Sequence, residues 1–304
     1  MLEKMFRLFG WTNAQKESFY LWQKAVKKLF SGKRILAGLL AAVELFGAAV
    51  FKLPVHPHGD APDLSGYELV LFDDFDGDAL DTDVWYHRGV GPRRTGYNAE
   101  SQVRLENGNM IITGEYLDDG AFGEGWYTGA VALREWYCKG YFEIRCICNK
   151  GNDFWSAFWM QSSHSYDMES KGGVGGAEID IFEATDYDAL LPSMRDRVTQ
   201  TVYCNGSDAD DENIDKCQFS AFGKNIFDEY NTYGLMWNDD EYIFYINGKE
   251  TVRTSFGLGV SEVIENLIVS LEIPDEMSPK TEADHAYKTQ MVVDYVKVYQ
   301  PTPA

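Results

Sequence analysis

The chain has 304 residues, 45% of them hydrophobic and 14% aromatic, ample for a sizeable core, which excludes a chain disordered throughout. A formal charge of −21 excludes the basic surface that nucleic-acid binding needs. The charge is unevenly placed: residues 1–53 sum to +6 and the remainder to −27, a basic head on an acidic body.

Residues 1–34 read as a basic helical segment, with Phe19, Leu21, Trp22, Val26 and Leu29 set among lysines. Residues 35–51 are apolar apart from Glu44, and at about 1.5 Å per residue they span about 25 Å, a little short of a bilayer core. Lys27, Lys28, Lys33 and Arg34 stand just before this stretch. It therefore reads as a signal or anchor segment that leaves the following domain outside the cell, secreted or membrane-attached; a cytoplasmic helical extension is the other reading. Residues 52–65, with Pro54, Pro57, Gly59 and Pro62, read as a linker in which His56 and His58 are solvated.

From Tyr67 onward the pattern is strands and turns, which predicts an all-β sandwich or barrel. Strands are expected at 68–72, 110–113, 140–148, 155–160, 178–183, 197–203, 231–237, 242–246, 266–271 and 291–299, with a hairpin turn at Asn247-Gly248. The run from Gly172 to Gly176 lacks the Lys-Ser/Thr of a phosphate loop and reads as a flexible lead-in to the next strand. The five cysteines include no C-x-x-C pair, so a structural zinc site is not expected. Cys146 and Cys148 read as buried thiols, whereas Cys204 and Cys217 flank an acidic loop that a disulfide would close in an exported chain.

The chemistry concentrates at Glu178-Ile179-Asp180-Ile181-Phe182-Glu183. Alternation puts Glu178 and Asp180 on one face of a strand and sends Glu183 to the other. A bulge between Asp180 and Glu183 would bring all three acids to one side, where crowded carboxyls titrate together. In the preceding strand Trp155, Ala157 and Trp159 share a face, two indoles with a small residue between them. That face reads either as a platform for sugar rings or as a strand buried on both sides. An amphipathic strand with its acids in water remains the plain alternative for 178–183.

These residues resemble glycoside hydrolase family 16, whose bulged signature is Glu-x-Asp-x-x-Glu. Supporting similarity runs through Leu71-Phe72-Asp73-Asp74-Phe75-Asp76-Gly77, Gly140-Tyr141-Phe142-Glu143-Ile144-Arg145, Trp155-Ser156-Ala157-Phe158-Trp159, Tyr233-Gly234-Leu235-Met236-Trp237 and Val293-Asp294-Tyr295-Val296-Lys297-Val298-Tyr299. The similarity covers about residues 66–300. It implies a concanavalin-like β-jelly-roll sandwich following the N-terminal helical extension, with a glycan cleft. By the same resemblance Glu178 is the nucleophile, Glu183 the general acid and base, and Asp180 the carboxyl that holds the pair in opposite protonation states. The resemblance also implies cleft aromatics at Trp155 and Trp159 and a polar opposite wall of Asn98, Glu100 and Gln102. No cofactor is needed for the chemistry; a structural calcium on Asp294 and the Gly108 carbonyl is implied. Where many relatives carry a strand histidine this chain has Val202-Tyr203-Cys204-Asn205. An arginine frequent in relatives falls near Val131, with Arg134 close by.

The resemblance implies a monomeric, retaining endo-β-glucanase acting on β-1,3 or mixed β-1,3/1,4-glucan. The alternatives are a galactanase of the agarase, porphyranase or carrageenase type, and a non-catalytic glycan-binding sandwich. A body charge of −27 disfavours polyanionic substrates unless the cleft itself is basic.

Overall fold

Each strand of a sandwich turns one face to the core and the other outward, so alternation in sequence becomes two layers in space. The computed structural model describes residues 54–303 except 152, 166–167, 186, 188–193, 205–214, 279–280 and 282–284. The basic segment 1–34 and the hydrophobic segment 35–51 lie outside the described residues.

Eighteen strands are described: β1 (Tyr67–Asp73), β2 (Trp85–His87), β3 (Gly91–Arg93), β4 (Gly96–Asn98), β5 (Val103–Leu105), β6 (Met110–Gly120), β7 (Gly123–Thr128), β8 (Ala130–Tyr137), β9 (Gly140–Ile147), β10 (Trp155–Gln161), β11 (Glu178–Ala184), β12 (Arg197–Cys204), β13 (Asp215–Phe222), β14 (Asn231–Trp237), β15 (Tyr242–Ile246), β16 (Lys249–Thr254), β17 (Glu265–Glu272) and β18 (Lys288–Pro301). They form an all-β sandwich of two sheets. One has seven strands in the order β13-β12-β11-β10-β17-β8-β2; the other has eleven, ordered β16-β15-β14-β9-β18-β6-β7-β4-β3 with β1 on β18 and β5 on β6.

Every expected strand is present. The expectations missed β2 to β5, β7, β8, β13 and, beyond its turn, β16. All of β2 to β5 are three-residue pieces, too short to show a period. Ala130–Tyr137 opens as an unbroken apolar run, which carries no alternation to read. The Asn247-Gly248 turn is as expected, with both residues at positive φ (52° and 70°), the requirement of a tight two-residue hairpin.

The core lies between the sheets and includes Phe158 and Met160 of β10, Ile179, Ile181 and Phe182 of β11, and Phe142, Ile144 and Leu235 of the facing sheet. Phe182 stacks on Tyr233 of β14 with ring centroids 3.9 Å apart, joining the two layers directly behind the acidic strand.

The described part of the expected linker is docked. Val55 exchanges backbone hydrogen bonds with β13, donating to Ser220 O (2.8 Å) and accepting from Phe222 N (2.9 Å). His56 stacks on Phe222, and the N–H groups of His58 and Gly59 reach Glu250 O on β16. The segment therefore covers the outer edges of both sheets, where exposed N–H and C=O groups would otherwise invite pairing with another chain. Register places Cys204 opposite Asp215 and Cys217 opposite Val202, so the two thiols stand diagonally across the strand pair.

Candidate active site

The bulge expected from the acid spacing is present. On β12, Asp180 pairs with Thr201 and Glu183 with Thr199; on β10, Phe158 pairs with Phe182 and Trp159 with Asp180. The register therefore slips by one residue on both neighbours. Ile181 and Phe182 both enter the core, and Glu178, Asp180 and Glu183 come to the opposite face. Entry into this strand is fixed by a glycine: Gly176 has φ 137°, and a Cβ there would lie 1.9 Å from Ser162 Oγ. The glycine run read as a flexible lead-in is pinned, with Gly175 N bonded to Ser170 O, Leu258 N to Gly172 O, and Ser170 Oγ to Gly176 O.

Trp155, Ala157 and Trp159 form the neighbouring row on β10. Ala157 and Trp159 pack with Ala132 and Ile268, with Tyr86 and Trp155 against them, a cluster separate from the main core. The indole of Trp155 donates to Glu183 Oε1 (2.9 Å), and that of Trp159 to Ser270 Oγ (3.0 Å). Gln161, directly opposite Glu178, donates to Glu178 Oε2 (3.0 Å) and accepts from Arg88 Nη2 (2.7 Å). The Arg88 guanidinium lies over Trp159 (4.7 Å) and that of Arg94 over Trp155 (5.0 Å). Glu272, opposite Trp155 on β17, is bound by Arg93 at 2.6 Å with Arg94 at 3.7 Å.

Burial is the main cause that raises the affinity of all three acids for protons. It lifts Glu178 to about 8, with Glu183 and Glu272 adding repulsion and Arg88 and Arg93 opposing. Asp180 is pushed well above its ordinary range by burial and by Glu183, Glu178 and Glu272. Glu183 is raised by burial, held back mainly by the Trp155 N–H. Three crowded carboxyls of this kind retain at least one proton near neutrality, so one can donate while another attacks.

The expected opposite wall is only partly assembled. Asn98 is buried at the end of β4 and donates to Arg88 O (3.3 Å), so it supports the cleft from behind. Glu100 is exposed in a short 3₁₀ turn, and the Gln102 amide bonds Thr113 O and Glu115 Oε1. These bonds tie Gln102 to β6 of the eleven-stranded sheet, away from the acids. Residues the expectations missed are Arg88, Arg93, Arg94, Gln161 and Glu272. One signal was legible: in the strand 265–272, Asn266, Ser270 and Glu272 are polar at even spacing, the mark of a face looking into a cleft. Tyr203, within the segment 202–205 that occupies the region of the relatives' strand histidine, stands opposite Glu178; burial and the charges of Asp180, Glu183 and Glu178 keep its phenol protonated. Arg134 donates to Thr82 O and lies over Tyr86, at the margin of the Trp159 cluster.

The calcium implied at Asp294 and Gly108 does not fit the residues as placed. Arg145 Nη1 pairs with Asp294 Oδ2 and engages the one carboxylate of the implied pair. Gly108 is the second residue of a positive-φ Asn-Gly turn between β5 and β6.

Coupled acids beneath an aromatic wall, on the outer face of a β-sandwich sheet, are the equipment with which glycosidases work. The family model described as beta-porphyranase A-D, GH16 domain, matches residues 70–301. The chain belongs to glycoside hydrolase family 16. It is 23% identical over 274 residues to glucan endo-1,3-beta-glucosidase A1 of Niallia circulans, a match covering 79% of this chain and 39% of that protein. It is 23% identical over 283 residues to a beta-glucanase of Acetivibrio thermocellus, covering 89% and 76%. Among solved structures it superposes on SCLam, a non-specific endo-beta-1,3(4)-glucanase, with TM-score 0.65 at 22% identity, covering 82% of this chain and 96% of SCLam. Porphyranase B from Zobellia galactanivorans gives TM-score 0.64 at 21% identity, covering 81% and 98%.

Proposed function

We propose that this chain is a retaining, endo-acting galactanase of the porphyranase type, cutting a galactan that carries anionic groups. The observation that carries the choice over a glucanase is the match of the porphyranase family model along residues 70–301. The cleft chemistry agrees. Arg93 and Arg94, each about 30% exposed, stand beside Trp155, and Arg88 lies over Trp159, so an acidic body carries a basic rim where substrate lies. Arginine forks match the oxygens of sulfate-type esters as they match phosphate.

In this reading Glu178 attacks the anomeric carbon while Glu183 gives its proton to the leaving glycosidic oxygen. A glycosyl-enzyme ester forms and the reducing-end fragment departs. Glu183, now a carboxylate, takes a proton from water, which attacks the same carbon and releases Glu178. Asp180, held protonated by burial between them, spares the pair a third charge.

A β-1,3 or mixed-linkage glucanase is the second reading, favoured by the Niallia and Acetivibrio relatives. One screen separates them: release of new reducing ends from porphyran, agarose, carrageenan, laminarin and lichenan. Porphyran should be cut fastest. Laminarin or lichenan cut faster than porphyran would overturn the galactanase reading, and full turnover by Glu178→Gln or Glu183→Gln on the best substrate would overturn the assignment of the acids.

A further inference from the structure

Between the proposed nucleophile and the cleft arginines stands a single amide, Gln161, directly across the strand pair from Glu178. Its two ends are chemically different, and which end faces which neighbour decides the charge state it favours. With the NH₂ toward Glu178 it stabilises a carboxylate; with the oxygen toward Glu178 it stabilises the protonated acid.

We propose that Arg88 is a positioning residue that fixes the polarity of the Gln161 amide, so that Glu178 is presented as a carboxylate ready to attack. This rests on the reading of Glu178 as the nucleophile. A guanidinium has five donors and no acceptor, so the group 2.7 Å from Arg88 Nη2 must be the amide oxygen. The amide nitrogen is then left facing Glu178 Oε2 at 3.0 Å.

Arg88 is held in place from several directions. Its guanidinium lies over the Trp159 ring at 4.7 Å, its N–H donates to Ala130 O at 2.8 Å, and its carbonyl accepts from Asn98 Nδ2 at 3.3 Å. Asn98 thus acts on the site through the backbone that carries Arg88.

The charges around Glu178 show why such a device is needed. Asp180 and Glu183 share its strand, Glu272 adds repulsion from the far end of β17, and Tyr203 stands opposite on β12. Burial and the neighbouring acids favour the protonated form, and the opposing charges are Arg88 and Arg93. Arg93 is bound to Glu272 at 2.6 Å, so much of its charge is engaged there. Arg88, acting through Gln161, is the cation with a hydrogen-bonded route to Glu178.

The test is the pH dependence of kcat/KM from about pH 4 to about pH 9, whose acidic limb reports ionisation of the nucleophile in the free enzyme. The full chain is compared with Arg88→Met, Arg88→Lys, Gln161→Met and the Met/Met double variant on the polysaccharide cut fastest in the screen above. Arg88→Met and Gln161→Met should each move the acidic limb up by about one pH unit, about tenfold in activity below the limb. The double variant should move it no further than the larger single one, because both break the same chain. Arg88→Lys should restore part of the shift.

Circular dichroism and melting check that each variant folds. Gln161→Glu, nearly isosteric and able to pair with Arg88, supplies a second route if the methionine variants do not, and it should move the limb upward as well. Acidic limbs unmoved in folded variants would overturn the proposal. A separate control isolates the underlying reading: Glu178→Gly should lose turnover and, with azide and an activated aryl β-glycoside, form the glycosyl azide of inverted configuration. Failure of that rescue counts against Glu178 as nucleophile; success of it with an unmoved limb counts against Arg88 alone.

Discussion

The indole nitrogen of Trp155 donates to Glu183 Oε1 across 2.9 Å, which makes the aromatic wall of the cleft and its second acid one unit. Trp155→Phe keeps a ring beneath Arg94 and removes the donor. The N–H favours the carboxylate form of Glu183, so its loss raises the Glu183 pKa, and the group stays protonated to higher pH. The basic limb of kcat/KM should therefore move up by about one unit, since a hydrogen bond to a charged group is worth about 1.5–3 kcal/mol. A pH–rate profile checks this, and an unchanged basic limb would separate Glu183 from the acid role.

Phe182 is the residue that locks the bulge. It is fully buried and stacked on Tyr233 of the facing sheet at 3.9 Å. Phe182→Ala should cost about 3–5 kcal/mol, read as a lowered denaturant midpoint. Activity should fall at temperatures where the variant is still folded, because the same residue sets the direction of Glu183. A variant with the expected loss of stability but wild-type kcat would show that the bulge holds without it.

Glu265 is buried beside the start of the acid strand, with Oε1 accepting from Ala177 N at 3.0 Å and the Ser261 side chain beside the carboxyl. Burial lifts its pKa from the ordinary 4.5 to about 8. Above the ordinary value the unfolded chain releases this proton while the folded chain retains it, so stability falls as pH rises through that window. Glu265→Gln should match the parent below about pH 4.5 and gain on it progressively to about pH 8, reaching at most about 5 kcal/mol. Urea melts at several pH values measure the difference; parallel curves would argue against a proton held at Glu265.

Arg93 and Arg94 offer a test of the proposed galactanase reading. If they bind ester oxygens, Arg93→Gln and Arg94→Gln should each lower kcat/KM on porphyran about tenfold while changing turnover of the desulfated polymer little, an effect that shrinks with added salt. Equal losses on both polymers would assign the pair to holding Glu272 in place.

Much of the fold was legible because strands alternate with period two, and that signal is local. The acid strand shows how far local reading extends: two carboxyls two apart and a third three further on share a face only with a bulge, and the register slip at Ile181 and Phe182 supplies it. The common face of Trp155, Ala157 and Trp159 followed from the same arithmetic. The opposite wall did not. Glu100 and Gln102 were placed by resemblance, and the actual partners of Gln102 on β6 depend on how a short turn packs against a strand eight to thirteen residues away.

What the amino-acid order determined by itself is therefore the all-β class, the Asn-Gly hairpin turn and the shared face of Glu178 and Asp180, since each follows from neighbours along the chain. What only the tertiary structure decided is the electrostatic setting of those acids. Arg88 lies 73 residues from Gln161, and Arg93 lies 179 from Glu272. Contacts of that span arise from sheet order, and because charge interactions fall off with distance in space and not along the chain, no local pattern could announce them.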